Sequence, residues 1–156
     1  MEDPPRDDET PKERADRELI ELLNELRVVL PGVTVMLGFL LAVPFAKGWP
    51  KVTGFERDVF VVAFLASAVS VALLTAPSSY HRLRFRHGDK AHMVRVGNRL
   101  AIAGIAASAV SLDAVVLLVM SNVVSQTAGI VTAACLAVLV GLLWYGLPLR
   151  AAAKTR

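Results

Sequence analysis

Four uninterrupted apolar stretches dominate this chain, each long enough to cross a bilayer. The hydrocarbon core is ~30 Å thick and takes ~20 helical residues. The stretches run from about Val28 to Ala46, Val59 to Ala76, Leu100 to Met120 and Ala128 to Leu147. The first carries no charge, the second has only Ser67, Ser70 and Thr75 as polar side chains, and the third contains Asp113. A lipid-facing strand could not pair its amide groups, so every span is expected to be helical. The expected fold is all-α, a polytopic bundle of four transmembrane helices. A cleaved leader is the competing reading of the first span. The 27 residues before it are mainly acidic and no small-residue cleavage site follows, so the span is expected to be retained.

Charge is unevenly spread over the 156 residues. Ten of the fourteen acids lie between Glu2 and Glu25, whereas after Arg27 only Glu56, Asp58, Asp89 and Asp113 face twelve Lys or Arg. The net +3 is thus an acidic tail masking a membrane domain of about +8. Lys and Arg mark the cytoplasmic side of a multi-pass protein. With four crossings, the two tails and the 77–99 loop share one side and carry fourteen of them, against three (Lys47, Lys51, Arg57) on the other. Both termini are therefore expected in the cytoplasm, with the chain in the plasma membrane. Trp49 would sit at the outer interface, and Tyr80, Trp144 and Tyr145 at the inner one, where amphipathic rings prefer to lie.

Residues 1–15 combine Pro with dense charge and lack apolar periodicity, the composition of a disordered tail. Residues 16–150 form the membrane domain, followed by a short basic tail at 151–156. From Asp16 onward Leu19, Leu23, Leu26 and Leu30 recur at helical spacing, which predicts an amphipathic helix. It either lies in the inner interface or feeds the first span, with Pro31-Gly32 marking a kink or break. A partner-binding helix is the alternative. Pro77 is expected to end or bend the second helix, and His87-Gly88-Asp89 reads as a stop and an N-cap, starting the third helix near Lys90.

The 77–99 loop is the most basic stretch. Arg84, Arg86, Lys90 and Arg95 suit anionic lipid headgroups, each contributing ~1 kcal/mol near such a surface. Topological retention explains the same charges without a specific lipid. The patch is short and membrane-bound, which argues against nucleic acid. His81, His87 and His92 lie six and five residues apart, with no carboxylate or cysteine cluster to complete a metal shell, so no metal is expected. The one cysteine, Cys135, lies in an apolar run and reads as a small apolar filler.

No phosphate loop, zinc motif or nucleophile elbow occurs, so neither an enzyme nor a cofactor is expected. Asp113 is the exception to a plain apolar bundle. It lies thirteen residues beyond Leu100, roughly 20 Å along a helix, in the outer half of the membrane. Insertion of an Asp at a helix centre costs ~2.5–3.5 kcal/mol, so it should face other helices. Gly104, Ser108 and Ser111 offer a polar, small-residue face on its own helix. One reading makes Asp113 a proton or cation site. The other makes it a hydrogen-bonded lock, with Thr34 or Thr132 as partner.

The segments ELLNELRVVLPGVTVMLGFLLAVPF (21–45), APSSYHRLRFRHGDK (76–90) and VGNRLAIAG (96–104) together resemble a known family. They are similar to the small four-helix integral membrane proteins of actinobacteria that form a domain of unknown function. The resemblance covers roughly Glu21 to Leu149, and some members carry a sodium:proton antiporter label. It supplies no catalytic set, but its polar motifs cluster at one end. There Glu25, Arg27, His81, Arg82, Asn98 and Arg99 could meet in a cytoplasmic network, either locking helices together or forming an ion vestibule.

Two functional readings stay open. One is a non-catalytic structural or accessory membrane protein whose basic cytoplasmic face lies on anionic lipid. The other is a small proton-coupled cation transporter using Asp113, which at four helices would need to be a homo-oligomer. An antiparallel dimer is disfavoured, because the cation bias fixes one orientation.

Overall fold

In the computed structural model, residues 10–84 and 90–146 are described, and they are almost wholly helical with no strand among them. Helix α1 spans Pro11–Ala42, α2 Gly54–Arg84, α3 Lys90–Val123 and α4 Gln126–Val140. Helix α4 runs on into one π-helical turn at Gly141–Gly146. Short 3₁₀ turns at Val43–Phe45 and Trp49–Lys51 join α1 to α2. All four helices are long and apolar enough to cross a membrane, over Asp16–Phe45, Gly54–Ser79, Met93–Val123 and Gln126–Trp144. The expected all-α architecture with four spans is what the chain adopts.

Helix α1 begins earlier than the tail boundary expected at residue 15. Thr10 closes a capping box: the Glu13 amide donates to its hydroxyl at 3.3 Å, and the Thr10 amide donates to the Glu13 carboxylate at 2.9 Å. Pro11 then sits in the first turn, where its missing N–H costs nothing. Ion pairs Arg14–Glu18 and Arg17–Glu21, one turn apart, support the exposed side. Residues 1–9 and 147–156 lie outside the described part, as do Phe85, Arg86 and the expected stop and cap at His87-Gly88-Asp89. From Lys90, the first described residue after them, α3 is helical.

The breaks expected at the two prolines do not occur. Helix α1 runs through Pro31 and α2 through Pro77. In an apolar medium the alternative to a helix is unpaired backbone, so a single missing bond is tolerated. The Thr34 hydroxyl donates to the Leu30 carbonyl at 2.8 Å, and Thr75 donates to Val71, so each proline has a back-bonded threonine nearby. The amphipathic start of α1 consequently neither lies flat nor breaks; it continues the membrane span as one rod. At 32, 31 and 34 residues, α1, α2 and α3 each exceed ~45 Å, well beyond the ~30 Å hydrocarbon core.

The three long helices share one core. Leu19, Leu22, Leu26, Val29, Val33, Met36 and Leu40 are buried or half-buried on α1, alternating steps of three and four. That is a heptad seam; of the expected Leu19, Leu23, Leu26 and Leu30 stripe, Leu19 and Leu26 lie in it and Leu30 packs against the same core. Helix α2 answers with Glu56, Phe60, Ala63, Ser67, Ser70, Leu74 and Pro77, all buried on the same period. Helix α3 contributes Gly97, Ala101, Gly104, Ser108 and Ser111. Small residues let α2 and α3 approach closely. A Cβ at Gly104 would stand 2.8 Å from the Leu74 side chain, and one at Gly97 3.0 Å from Leu22. Two interhelical hydrogen bonds fix this contact: Ser70 donates to the Gly104 carbonyl and Ser111 to that of Ala63, both at 2.7 Å.

The end of the hairpin formed by the start of α2 and the end of α3 is closed by a second device. Thr53 caps α2, and Glu56 returns the bond to the Thr53 amide at 2.7 Å. The Asn122 amide donates to the other Glu56 oxygen at 3.3 Å, tying the start of α2 to the end of α3. Trp49 covers Phe60 edge-on, with ring centroids 4.8 Å apart.

Helix α4 stands apart. Ser125 caps it by accepting from the Ala128 amide. Among the described residues it packs on α3 and touches neither α1 nor α2. The close point is Gly129, where an added Cβ would fall on the Ser121 hydroxyl.

Candidate functional site: an apolar groove holding Asp113

Because α4 meets only α3, a gap is left between α2 and α4, floored by α3. This gap is an apolar groove of about 880 Å³. Val59 and Val62 form one wall, Ala137 and Val140 the other, and Ala106 and Val110 lie between them. Gly141, where α4 passes into its π-helical turn, lines the same groove. Such turns are frequent at functional sites.

Three charged residues line it. Asp113 lies part-way along, while the exposed Asp58 and Arg99 belong to the first turns of α2 and the N-terminal half of α3. Arg99 is fourteen residues from Asp113 on the same helix, ~21 Å away along its axis. Asp58 lies near the end that Glu56 and Asn122 close. The groove therefore has an acidic mouth, a carboxylate within, and a basic mouth at the opposite end.

Asp113 is half-buried, and its Oδ1 is buried with no hydrogen-bond partner among the described residues. The two partners expected for a structural lock are engaged elsewhere. Thr34 donates to Leu30, and Thr132 donates to Ala128 and Gly129, each within its own helix. The serines do not share its face either. Ser111 and Asp113 are two residues apart, ~200° around a helix, so they point to opposite sides. Ser108 and Ser111 face the α1–α2 side, where Ser108 back-bonds to Ile105 and Ser111 bonds to α2.

The cytoplasmic network is not assembled among its described members. Glu25, Arg27, Asn98 and Arg99 are exposed and make no hydrogen bond or ion pair with one another. The side chains of His81 and Arg82 lie outside the described part. Of the expected headgroup contacts, Arg95 is exposed on α3. The Arg84 and Lys90 side chains, with all of Arg86, fall outside. Among the described residues no three His, Cys, Asp or Glu side chains group as metal ligands. Cys135 is exposed on α4 rather than buried as filler.

The sequence matches the model of a family of unknown function (DUF6328) over residues 8–148. The chain belongs to that family. No curated protein and no solved structure matches it. The match takes in all four helices and every residue of the groove, so the groove is built wholly from the family domain.

Two features escaped sequence reading. The Glu56 clamp could have been found as Thr-x-x-Glu ahead of an apolar run, a capping-box signature. The groove could not, because it depends on α4 docking against one neighbour only.

Proposed function

We propose that this chain is a non-enzymatic, multi-pass plasma-membrane protein that exchanges a proton for a cation at Asp113. The observation that carries this reading is the unpartnered Asp113 oxygen inside an apolar groove at membrane depth. A carboxylate kept only to hold helices together would be bonded across an interface. The helix contacts are instead held by Ser70, Ser111 and Glu56, which leave Asp113 free for a ligand. Intramembrane acids that face a cavity typically line ion and proton pathways.

Both termini are assigned to the cytoplasm by the fourteen-to-three bias of Lys and Arg. The basic inner face then meets anionic headgroups, with Arg95 among the contacts. The groove is open on one side of the chain, so a second copy is a natural neighbour, and transport is assigned to a homo-oligomer. The accessory reading keeps support from that basic face alone.

Protein reconstituted in liposomes tests the proposal through dissipation of a pH gradient on adding a cation. Wild-type protein should collapse the gradient, Asp113→Glu should retain part of the flux, and Asp113→Asn should abolish it. A stable Asp113→Asn protein with undiminished flux would remove Asp113 from the mechanism. Wild-type protein without any flux would leave the accessory role.

A further inference from the structure

The kind of cation is written in what surrounds Asp113. A hard metal ion needs a cage of several oxygens to replace its hydration shell. Among the described residues the only side-chain oxygens lining the groove are those of Asp113 and, at the acidic mouth, Asp58. Ser108 and Ser111 bond on the opposite side of α3, Thr132 bonds to its own helix, and the unpartnered Ser121 hydroxyl is not among the described lining of the groove. Helix α4 faces Asp113 with Ala137, Val140 and Gly141, which bring no polar side chain. An alkali cation seated at Asp113 would exchange its water shell for few side-chain oxygens.

The dimensions agree. About 880 Å³ is far more than an ion fills. It lies within the ~300–1,000 Å³ range of sites that enclose small organic molecules. Alanines at 103, 106 and 109 keep the α3 floor low, and apolar surface laid against it would gain ~25 cal/mol per Å².

We infer that the groove binds a weakly hydrated organic cation with an apolar body, its charge on Asp113 and its body along the alanines of α3. This rests on the proposed exchange at Asp113 and names its substrate class. In the exchange the protonated carboxyl loses its O–H proton to solvent, and the carboxylate then pairs with the cation, so net charge in the groove is unchanged. Asp58 draws the cation to one mouth, while Arg99 opposes its passage at the other. The groove is thereby selective for sign as well as for shape.

The test uses full-length protein in lipid nanodiscs, with tetraphenylphosphonium, sodium and tetraphenylborate as probes. Probe binding and proton release are measured together. Tetraphenylphosphonium should bind with release of about one proton, and excess sodium should not displace it. In Asp113→Asn its affinity should fall ~10- to 100-fold, the loss expected for a charge-assisted contact. Asp113→Glu should keep binding, which shows that the site and not the fold was altered. Ala106→Phe, which fills the groove, should weaken binding with proton uptake at Asp113 intact. Tetraphenylborate should release no proton.

Sodium that releases the proton where tetraphenylphosphonium does not bind would overturn the organic-cation assignment and leave the exchange standing. Equal tetraphenylphosphonium binding by wild type and Asp113→Asn would also overturn it, as simple partitioning into an apolar surface. Proton release with neither cation would overturn the exchange itself. An Ala106→Cys chain on a Cys135→Ala background that cross-links to a second copy, with no probe bound, would assign the groove to self-association instead.

Discussion

Helix α3 has two faces that treat polar groups in opposite ways. Toward α1 and α2 it presents Gly97, Gly104, Ser108 and Ser111, packed so closely that backbone meets side chain and the interhelical hydroxyl bonds are made. Toward α4 and the groove it presents alanines and a carboxylate with one buried oxygen unmatched. The first face is what a stable membrane hairpin needs. The second keeps an intramembrane acid available, at a cost the first face offsets. Stability and ligand chemistry are thus divided between two sides of one helix, and substitutions should sort accordingly.

The sharpest break of this division is Gly104→Leu. The added side chain would have to displace Leu74 and Leu73 at the tightest point of the hairpin, so a loss of about 3 kcal/mol is expected. Denaturant unfolding in detergent checks it. Gly32→Ala and Gly38→Ala, with open space around each, should leave the midpoint unchanged or raise it slightly.

Smaller losses are expected from Ser70→Ala and Ser111→Ala, about 0.5–1.5 kcal/mol each, as interhelical hydrogen bonds in membranes are modest. Their sum should be additive within about 0.5 kcal/mol if the two bonds act independently. On the other face, Asp113→Asn should stay within about 0.5 kcal/mol of wild type in the same assay while its proton exchange is lost. A destabilisation as large as that of the serines would assign Asp113 to the packing face after all.

The smallest effect belongs to the start of α1. Hydrogen bonds from the Thr10 side chain and amide hold the Glu13 carboxyl below its ordinary range. A lowered folded value means the cap contributes fully above the usual glutamate value and is lost as pH falls through the lowered one. Protection factors of the Glu13 and Arg14 amides, taken against the intrinsic rate at each pH, should therefore fall in acid, and Thr10→Ala should lower them at all pH values.

Much of the architecture was legible from hydropathy, because bilayer thickness and backbone pairing leave few options. The four apolar helices followed from that constraint. Pro31 and Pro77 break neither helix, since rules for proline in water assume that water can take over the freed carbonyls. Of the expected α1 stripe, Leu19, Leu26 and Leu30 meet the core and Leu23 is replaced in the seam by Leu22, because an apolar seam and a lipid-facing surface look alike in composition. Asp113 was recognisable as a costly residue, and its offset of ~200° from Ser111 was countable in advance. Its lack of a partner was not, because it follows from α4 resting on α3 alone. Of the network expected around Glu25, Arg27, His81, Arg82, Asn98 and Arg99, the four described side chains stay apart, because sharing one end of a bundle does not bring exposed side chains within bonding range.

That solitary docking of α4 has a consequence for how affinity must be measured. A gap between α2 and α4 opens sideways, toward acyl chains rather than toward bulk solvent. A lipophilic ligand would first dissolve in the bilayer and diffuse to the groove in two dimensions. Its effective concentration is then set by its partition coefficient, so one and the same groove would give different apparent dissociation constants in lipids of different thickness or charge. Affinities should be referred to the mole fraction of ligand in the membrane.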